Sequence, residues 1–114
     1  MSDMREFAAL LHPEAELHQP PEWAEPEVFR GRDGFVRGTF RWMEDWELFR
    51  FLLEEIEDLG DDRVLVRVHL IGRSRKTGTP FDERVVHLWC FRDGQPFSCQ
   101  VFFKEEDARA AAES

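Results

Sequence analysis

Four long stretches with the alternating pattern of β-strands occupy the C-terminal half of the chain. In chain order they read ELFRFLLEEIEDLG, DRVLVRVHLIGRSRK, FDERVVHLWCFR and PFSCQVFFK, with only short turns between them. The last turn contains Asp93-Gly94, a pair that readily adopts the positive φ angles of a tight hairpin. Neighbouring strands joined by tight turns pair antiparallel. The sequence therefore predicts a meander of long strands in one sheet.

The second and third of these stretches are apolar on both faces. The alternating sets are Val64, Val66 and Val68 against Leu65 and Ile71, and Val85, His87, Trp89 and Phe91 against Val86, Leu88 and Cys90. When both faces of an antiparallel strand are apolar, we expect both to be covered. One face is expected to lie against helices and a cavity, and the other against a second copy of the chain. The pattern therefore predicts a homodimer through the open face of the sheet.

Short helical segments flank the strands. The first is predicted over residues 4–11, and the second over residues 34–46 with Asp33 as its N-cap. EAELHQP, between them, alternates like a short strand, and an acidic, Ala-rich helix is predicted over residues 105–112. Helices and strands segregated in this way indicate the α+β class. The length of 114 residues fits one domain, residues 1–114.

Composition disfavours several classes of partner. The formal net charge of −9 repels phosphate backbones and acidic lipid surfaces, so we expect neither a nucleic-acid nor a membrane partner. No apolar run approaches the roughly 20 residues of a membrane-spanning helix, and the N-terminus does not resemble a signal peptide. We therefore expect a cytoplasmic protein. A Gly-rich phosphate loop is also missing, and we expect no cofactor.

The two cysteines lie on the last two predicted strands. If Arg92 pairs with Gln95 across the hairpin, Cys90 and Cys99 face the same side of the sheet. An apolar environment raises the pKa of a thiol and makes it unreactive, so a packing role is predicted for both.

Three stretches of the chain resemble the SnoaL-like branch of the nuclear transport factor 2-like superfamily. They are LLHPEAELHQPP after a helix, VFRGRDGFVRGTFRWMEDW as strand, turn and helix, and VVHLWCFRDGQ entering a hairpin. The resemblance implies a cone-shaped α+β barrel, in which a strongly curved antiparallel (mixed) sheet packs against short N-terminal helices and wraps around a deep apolar pocket. It also implies a dimer. The functions it implies range over polyketide cyclisation, ketosteroid isomerisation, epoxide hydrolysis and binding without catalysis.

The chain departs from this family pattern in two places. Members usually begin with a long helix across the mouth of the cone, and we expect this first long helix to be missing here. Catalytic cyclase-like members often carry an acidic residue on the last strand. The comparable positions hold Cys99, Val101 and Phe103 on one face and Gln100, Phe102 and Lys104 on the other. The second departure argues against cyclase or isomerase chemistry.

His18 is the predicted catalytic residue. It resembles a position where many SnoaL-like sequences carry His, on a strand beside the helix that walls the cone. An imidazole near neutral pH can act as a general base or as a hydrogen-bond donor to a ligand. The alternative is a His at the edge of the core, bonded to the backbone. Glu14, Glu16 and His18 form a row at i, i+2 spacing instead of converging, so we expect no metal site.

His87 and Trp89 are predicted to bind the ligand. If their shared face is concave they line the cavity, and if it is convex they belong to the dimer interface. Periodicity does not decide between these, because both faces are apolar. We favour the pocket, because a mostly apolar cavity with a few placed polar groups is a common ligand site.

Further aromatic residues are also predicted to bind the ligand. These are Trp23 at the rim, on the proline-rich loop, and Phe35, Trp42 and Trp46 on the second helix, although such positions are also typical of core packing. The sequence thus predicts a protein that binds a small apolar molecule, with isomerase, cyclase or hydrolase activity on a hydrophobic substrate left open. The alternative is a non-catalytic dimeric binding or interaction module, without the family's catalytic acid, whose own aromatic side chains fill the pocket.

Overall fold

The computed structural model describes residues 2–21 and 23–113, with their side chains except those of residues 2–4 and 48. Within these ranges, one six-stranded sheet consists of β1 (Glu16–His18), β2 (Val28–Arg30), β3 (Trp46–Gly60), β4 (Arg63–Ser74), β5 (Pro80–Arg92) and β6 (Gln95–Phe102). The helices are α1 (Ser2–Leu10), α2 (Gly31–Met43) and α3 (Glu105–Glu113). The strand order is β2-β1-β6-β5-β4-β3, antiparallel except for the parallel pair β1–β6. The predicted α+β class with a mixed sheet is confirmed, whereas the expected lack of the family's first long helix stays a prediction.

The β5–β6 hairpin has the predicted turn. Asp93 and Gly94 have φ angles of 54° and 75°, the left-handed values that a tight hairpin of this kind requires. The long strands begin and end within two residues of the predicted bounds. The second helix differs more, because it begins at Gly31 after Arg30 and leaves Asp33 inside its first turn. Trp46, predicted as the helix end, instead opens β3.

The sheet curves around α2. The ladder between β3 and β4 shifts register three times, between Glu47 and Arg50, between Leu53 and Glu55, and between Asp58 and Gly60. Each shift bends the strand and increases its twist. α2 approaches the sheet closely at Gly38, where an added Cβ would lie 2.5 Å from the ring of Phe29 on β2. Glycine at this position lets the helix lie across the concave face.

α3 covers the outer face of the sheet. Ala108 and Ala112 pack on a buried cluster from the three central strands: Leu65, Val86, Leu88 and Phe102. Small alanine side chains allow a helix to approach a sheet closely, so α3 packs directly on this face. The second apolar face of β4 and β5 thus has a partner within the chain. A second copy of the chain, which the sequence predicted to cover this face, is not required to bury it.

An ionic network fixes α3 to the outer face. The Arg67 guanidinium donates to Glu105 of α3 at 2.7 and 3.0 Å and to Glu57 of β3 at 3.0 Å. It also contacts Glu55. Arg109 of α3 donates to the same two carboxylates, at 2.9 Å to Glu57 and 3.1 Å to Glu105. Arg67 first, and then Arg109, lower the pKa of Glu105 to about 2.

The edge strand β3 exposes large apolar side chains. Phe51, Leu53 and Ile56 are 50%, 56% and 60% exposed. They pair with Leu70, Val68 and Val66 of β4, which belong to the concave face, so the exposed row extends that face beyond the region that α2 covers. None of the helices in the described ranges is long and apolar enough to span a bilayer.

Candidate functional site

A cavity of about 570 Å³ lies between the concave face of the sheet and α2. Side chains from α1, α2 and every strand contribute to its wall, within the described part of the chain. Its size falls in the range of roughly 300–1,000 Å³ that is typical of small-molecule sites. Among the described residues that line it, none is Asp, Glu, Lys or Arg. The half-exposed Phe51 is part of the wall, so the cavity opens beside β3.

One end of the cavity is formed by three rings that we call the α1-side cluster: Phe7, Phe35 and Trp89. The ring centroids of Phe35 and Trp89 are 5.9 Å apart with an interplanar angle of 29°, a stacked arrangement. Phe7 of α1 contacts both, with centroids 5.8 Å from Phe35 and 6.4 Å from Trp89. Mutual contact of this kind favours aromatic pairs by about 0.5–1.5 kcal/mol beyond area burial. The cluster joins α1, α2 and β5.

The opposite end is formed by a second group, the β3-side cluster: Trp42, Trp46, Phe49 and Phe81. The ring of Trp42 meets Phe49 edge-on at 5.1 Å and Trp46 at 6.4 Å. Trp46 in turn lies 4.5 Å from Phe81 at the start of β5. From the first position of β3, Trp46 thus contacts both Trp42 of α2 and Phe81 of β5. The rings support one another and leave the space between the two clusters open.

His87 lies on the floor of the cavity. It pairs with Val66 on β4 and Val101 on β6, and all three line the cavity. The nearest ring is that of Phe51, with centroids 5.8 Å apart. Burial lowers the pKa of His87 from 6.5 to about 4, so the imidazole is neutral at pH 7.

The ring nitrogens of His87 have no hydrogen-bond partner within the described residues. These nitrogens are not sealed from solvent, since no buried side-chain nitrogen or oxygen among the described residues lacks a partner. The accessible part of the ring opens into the cavity. A molecule in the cavity with a suitable polar atom would therefore complete the hydrogen bonding of His87.

His18 has a different environment. Leu17, the residue before it, pairs with Cys99 and packs inward with Phe35. His18 borders the cavity, but its Nε2 lies 3.0 Å from Glu16 Oε1, and Glu16 also accepts a 2.8 Å hydrogen bond from Arg30. Because Glu16 and His18 alternate with Leu17, their side chains lie on the face of β1 opposite to that of Leu17.

The Glu16 carboxylate lies between two partners on this face. Its pKa is lowered chiefly by the hydrogen bond from Arg30 and to a smaller extent by His18. His18 and His87 both belong to the wall of the cavity, and a catalytic role for His18 stays a prediction.

Cys99 lines the cavity, whereas Cys90 packs beneath α3. The ladder between β5 and β6 shifts register after Cys90, so that Cys90 pairs with Ser98 and Cys99 with Trp89. The expectation that both cysteines share a face is therefore wrong. Burial raises the pKa of Cys99 far above its ordinary value, as expected for an unreactive thiol.

The residues predicted to bind a ligand come together around the cavity. The structure places six of them in its wall: Trp23, Phe35, Trp42, Trp46, His87 and Trp89. Sequence reasoning missed the wall residues Phe7, Phe49, Phe51 and Phe81. Phe81 shares the odd-numbered alternation of His87 and Trp89 on β5, a signal that could have identified it. Among the described residues, no group of three or more His, Cys, Asp or Glu side chains could hold a metal ion.

Comparison with known proteins gives one family. The model of the SnoaL-like domain matches residues 2–97. An NTF2-like protein from Burkholderia thailandensis E264 has 28% sequence identity and a TM-score of 0.75, over 99% of this chain and 88% of that one. TerC, co-crystallised with polyporic acid, has 22% identity and a TM-score of 0.74, also over 99% of this chain and 88% of that one. A candidate SnoaL-like polyketide cyclase from Jannaschia sp. CCS1 has 16% identity and a TM-score of 0.76, over 95% of this chain and 76% of that one. No curated protein matches the sequence.

Proposed function

Because the chain belongs to the SnoaL-like domain family, we propose that it binds a small, largely apolar molecule in the cavity between α2 and the sheet. The observation that carries this proposal is the open volume of about 570 Å³ between the two aromatic clusters. A module whose own aromatic side chains fill the pocket would have no such space. Burying the apolar surface of a ligand is favourable by roughly 25 cal/mol per Å², so these walls supply affinity without specific polar contacts.

The cavity lining favours binding over acid–base catalysis. Of the titratable side chains that line the cavity, His87 is neutral at pH 7, Cys99 stays protonated, and His18 is paired with Glu16. A base whose pKa lies near 4 accepts a proton poorly at neutral pH. We therefore place isomerase, cyclase or hydrolase activity second, with the likeness to a candidate polyketide cyclase as its support. The ligand-bound TerC structure supports a binding role within this fold.

Binding is tested with Nile red, a neutral apolar dye whose fluorescence rises in an apolar environment. We expect saturable binding of one dye molecule per chain. Val66→Trp places a large ring in the cavity. We expect it to weaken binding about tenfold or more, since a loss of roughly 1.4 kcal/mol of binding free energy raises the dissociation constant tenfold.

Leu10→Trp is the matched control, because Leu10 is 64% exposed on α1 and lies outside the cavity wall. It adds the same ring and should leave the affinity within about twofold of the unsubstituted chain, as surface changes usually do. Circular dichroism establishes that both variants are folded. Equal affinity of the Val66→Trp variant and the unsubstituted chain would contradict binding in this cavity.

A homodimer is the second part of the proposal. Phe51, Leu53 and Ile56 form the exposed apolar row on β3, and such rows commonly mark interaction sites. Light scattering after size exclusion should give twice the chain mass of 13.5 kDa. Leu53→Glu should reduce this to the mass of one chain, whereas Leu10→Glu, also at an exposed leucine, should not. A mass of one chain for the unsubstituted protein would contradict the dimer.

A further inference from the structure

We infer that the ligand is an uncharged, elongated molecule with one hydrogen-bonding group, and that His87 holds this group on the floor of the cavity. The assignment rests on the proposed function, because it names the class of molecule that the cavity takes. Three features of the cavity support it: the unpaired imidazole, the lack of charged wall residues among those described, and the separation of the two aromatic clusters along β5.

The unpaired imidazole indicates where the polar group of the ligand lies. His87 is flanked by Val66 and Val101 and faces the ring of Phe51, none of which offers a side-chain hydrogen bond. An apolar residue would fill this position without a hydrogen-bonding penalty. A neutral imidazole carries one donor and one acceptor nitrogen, so it can bind a carbonyl or a hydroxyl group.

The wall chemistry indicates that the ligand has no charge. A carboxylate or an ammonium group would lose its hydration on entry, and no described side chain in the wall carries a compensating charge. Aromatic rings can hold a cation when it sits over an open ring face. The three ring pairs of the β3-side cluster meet edge-on or at a tilt, with centroids 4.5–6.4 Å apart, and we infer that these rings pack on one another instead of holding a cation.

The arrangement along β5 indicates an elongated shape. Phe81 belongs to the β3-side cluster and Trp89 to the α1-side cluster, and both line the cavity. Trp89 follows Phe81 by eight positions, a contour length of about 26 Å along the curved strand at ~3.3 Å per residue. His87 lies two residues from Trp89, so the polar group is held near the α1-side end. The apolar remainder of the ligand extends towards the β3-side cluster.

Displacement of Nile red by four matched compounds at pH 7 tests this assignment. Biphenyl has the elongated apolar shape, 4-phenylphenol adds one neutral polar group, biphenyl-4-carboxylate adds a charge, and phenol lacks the second ring. We expect 4-phenylphenol to bind about fivefold more tightly than biphenyl, the effect of one hydrogen bond. Biphenyl-4-carboxylate and phenol should each bind at least about tenfold more weakly than 4-phenylphenol.

Variants of His87 assign the preference to this residue. His87→Phe and His87→Leu should bind biphenyl and 4-phenylphenol about equally, and using two apolar side chains of different size separates the hydrogen bond from packing. His87→Gln keeps a donor and an acceptor and should restore part of the preference. A preference for 4-phenylphenol that persists in both apolar variants would overturn the assignment, as would tightest binding of the carboxylate or equal binding of phenol.

The two proposals fail in different ways. If neither Nile red nor any of the four compounds binds, the proposed function itself is wrong, and the assignment of His87 falls with it. If biphenyl binds as tightly as 4-phenylphenol to the unsubstituted chain, the cavity binds apolar molecules but His87 does not hold a polar group.

Discussion

The two faces of the sheet use apolar residues in opposite ways. On the outer face, the alanines of α3 lie directly on Leu65 and Leu88, and the ionic network around Arg67 joins α3 to the sheet. On the concave face, large rings pack on one another in two clusters and leave a cavity between them. Small residues let a helix close on a sheet. On the concave face, the two clusters of rings hold α2 away from β4 and β5, whereas at Gly38 the helix lies close to β2. The filled face should therefore determine stability, and the open face should determine binding.

The largest expected effect is a loss of packing on the filled face. Leu65 is fully buried beneath α3, and Leu65→Ala should lower the free energy of unfolding by about 3 kcal/mol, since it leaves a cavity that close-packed neighbours cannot fill. Urea denaturation measures this change. Leu10→Ala, at a leucine that is 64% exposed, is the control and should change stability by less than about 1 kcal/mol. Equal losses in the two variants would contradict the difference between filled and exposed positions.

The next effect concerns pH and comes from the open face. Burial lowers the pKa of His87 to about 4, so between pH 6.5 and 4 the unfolded chain binds a proton that the folded chain does not. Stability is therefore complete above about pH 6.5 and falls as the pH is lowered. Between pH 7 and 5 this amounts to about 2 kcal/mol, at ~1.4 kcal/mol per pH unit below 6.5.

Comparison with His87→Phe isolates this dependence, because that variant lacks the titrating group. Urea denaturation at pH 7 and at pH 5 measures the unfolding free energy of both proteins. Between these pH values, that of the unsubstituted chain should fall by about 2 kcal/mol more than that of the variant. The Glu105 carboxylate, with a pKa of about 2 in the folded chain, affects stability only below its ordinary value of 4.5. The same pH dependence in both proteins would show that burial does not lower the pKa of His87 in this way.

The smallest expected effect concerns the charges on the outer face. Arg67→Met keeps the apolar stem but removes the guanidinium that contacts Glu57 and Glu105. Because these carboxylates are partly exposed, we expect the melting temperature to fall by only about 2–4 °C, and by less in 0.5 M NaCl. Arg84→Met removes an exposed pair with Glu54 that does not involve α3, and should have a smaller effect. A larger fall for Arg84→Met would mean that the network does not hold α3.

The long strands could be predicted from the sequence because their signal is local. Alternation marks β3 to β6, and Asp93-Gly94 marks the last hairpin by its own φ preference. The side of the sheet that each residue faces was harder to predict, because it depends on pairing between distant segments. Cys90 illustrates this, since one register shift after it moves it to the face opposite Cys99.

The candidate site shows the same limit. The odd-numbered residues of β5 could be grouped from the sequence, but only the position of α2 shows that His87 and Trp89 face the cavity. His18 lies on a strand of three residues, and its face is set by parallel pairing with β6, which no local pattern reveals. The helix of residues 105–112 was predicted, whereas its alanines gave no indication of the strands beneath it.

Chemical-shift mapping by NMR with 4-phenylphenol tests most directly that the concave face binds ligands. We expect the ligand to shift the indole N–H signals of Trp42, Trp46 and Trp89 and the ring signals of His87, all in the cavity wall. The amides of Ala108 and Ala112, on the filled outer face, should stay unchanged. Shifts confined to α3 and the outer face, or none at saturating ligand, would contradict this account of the molecule.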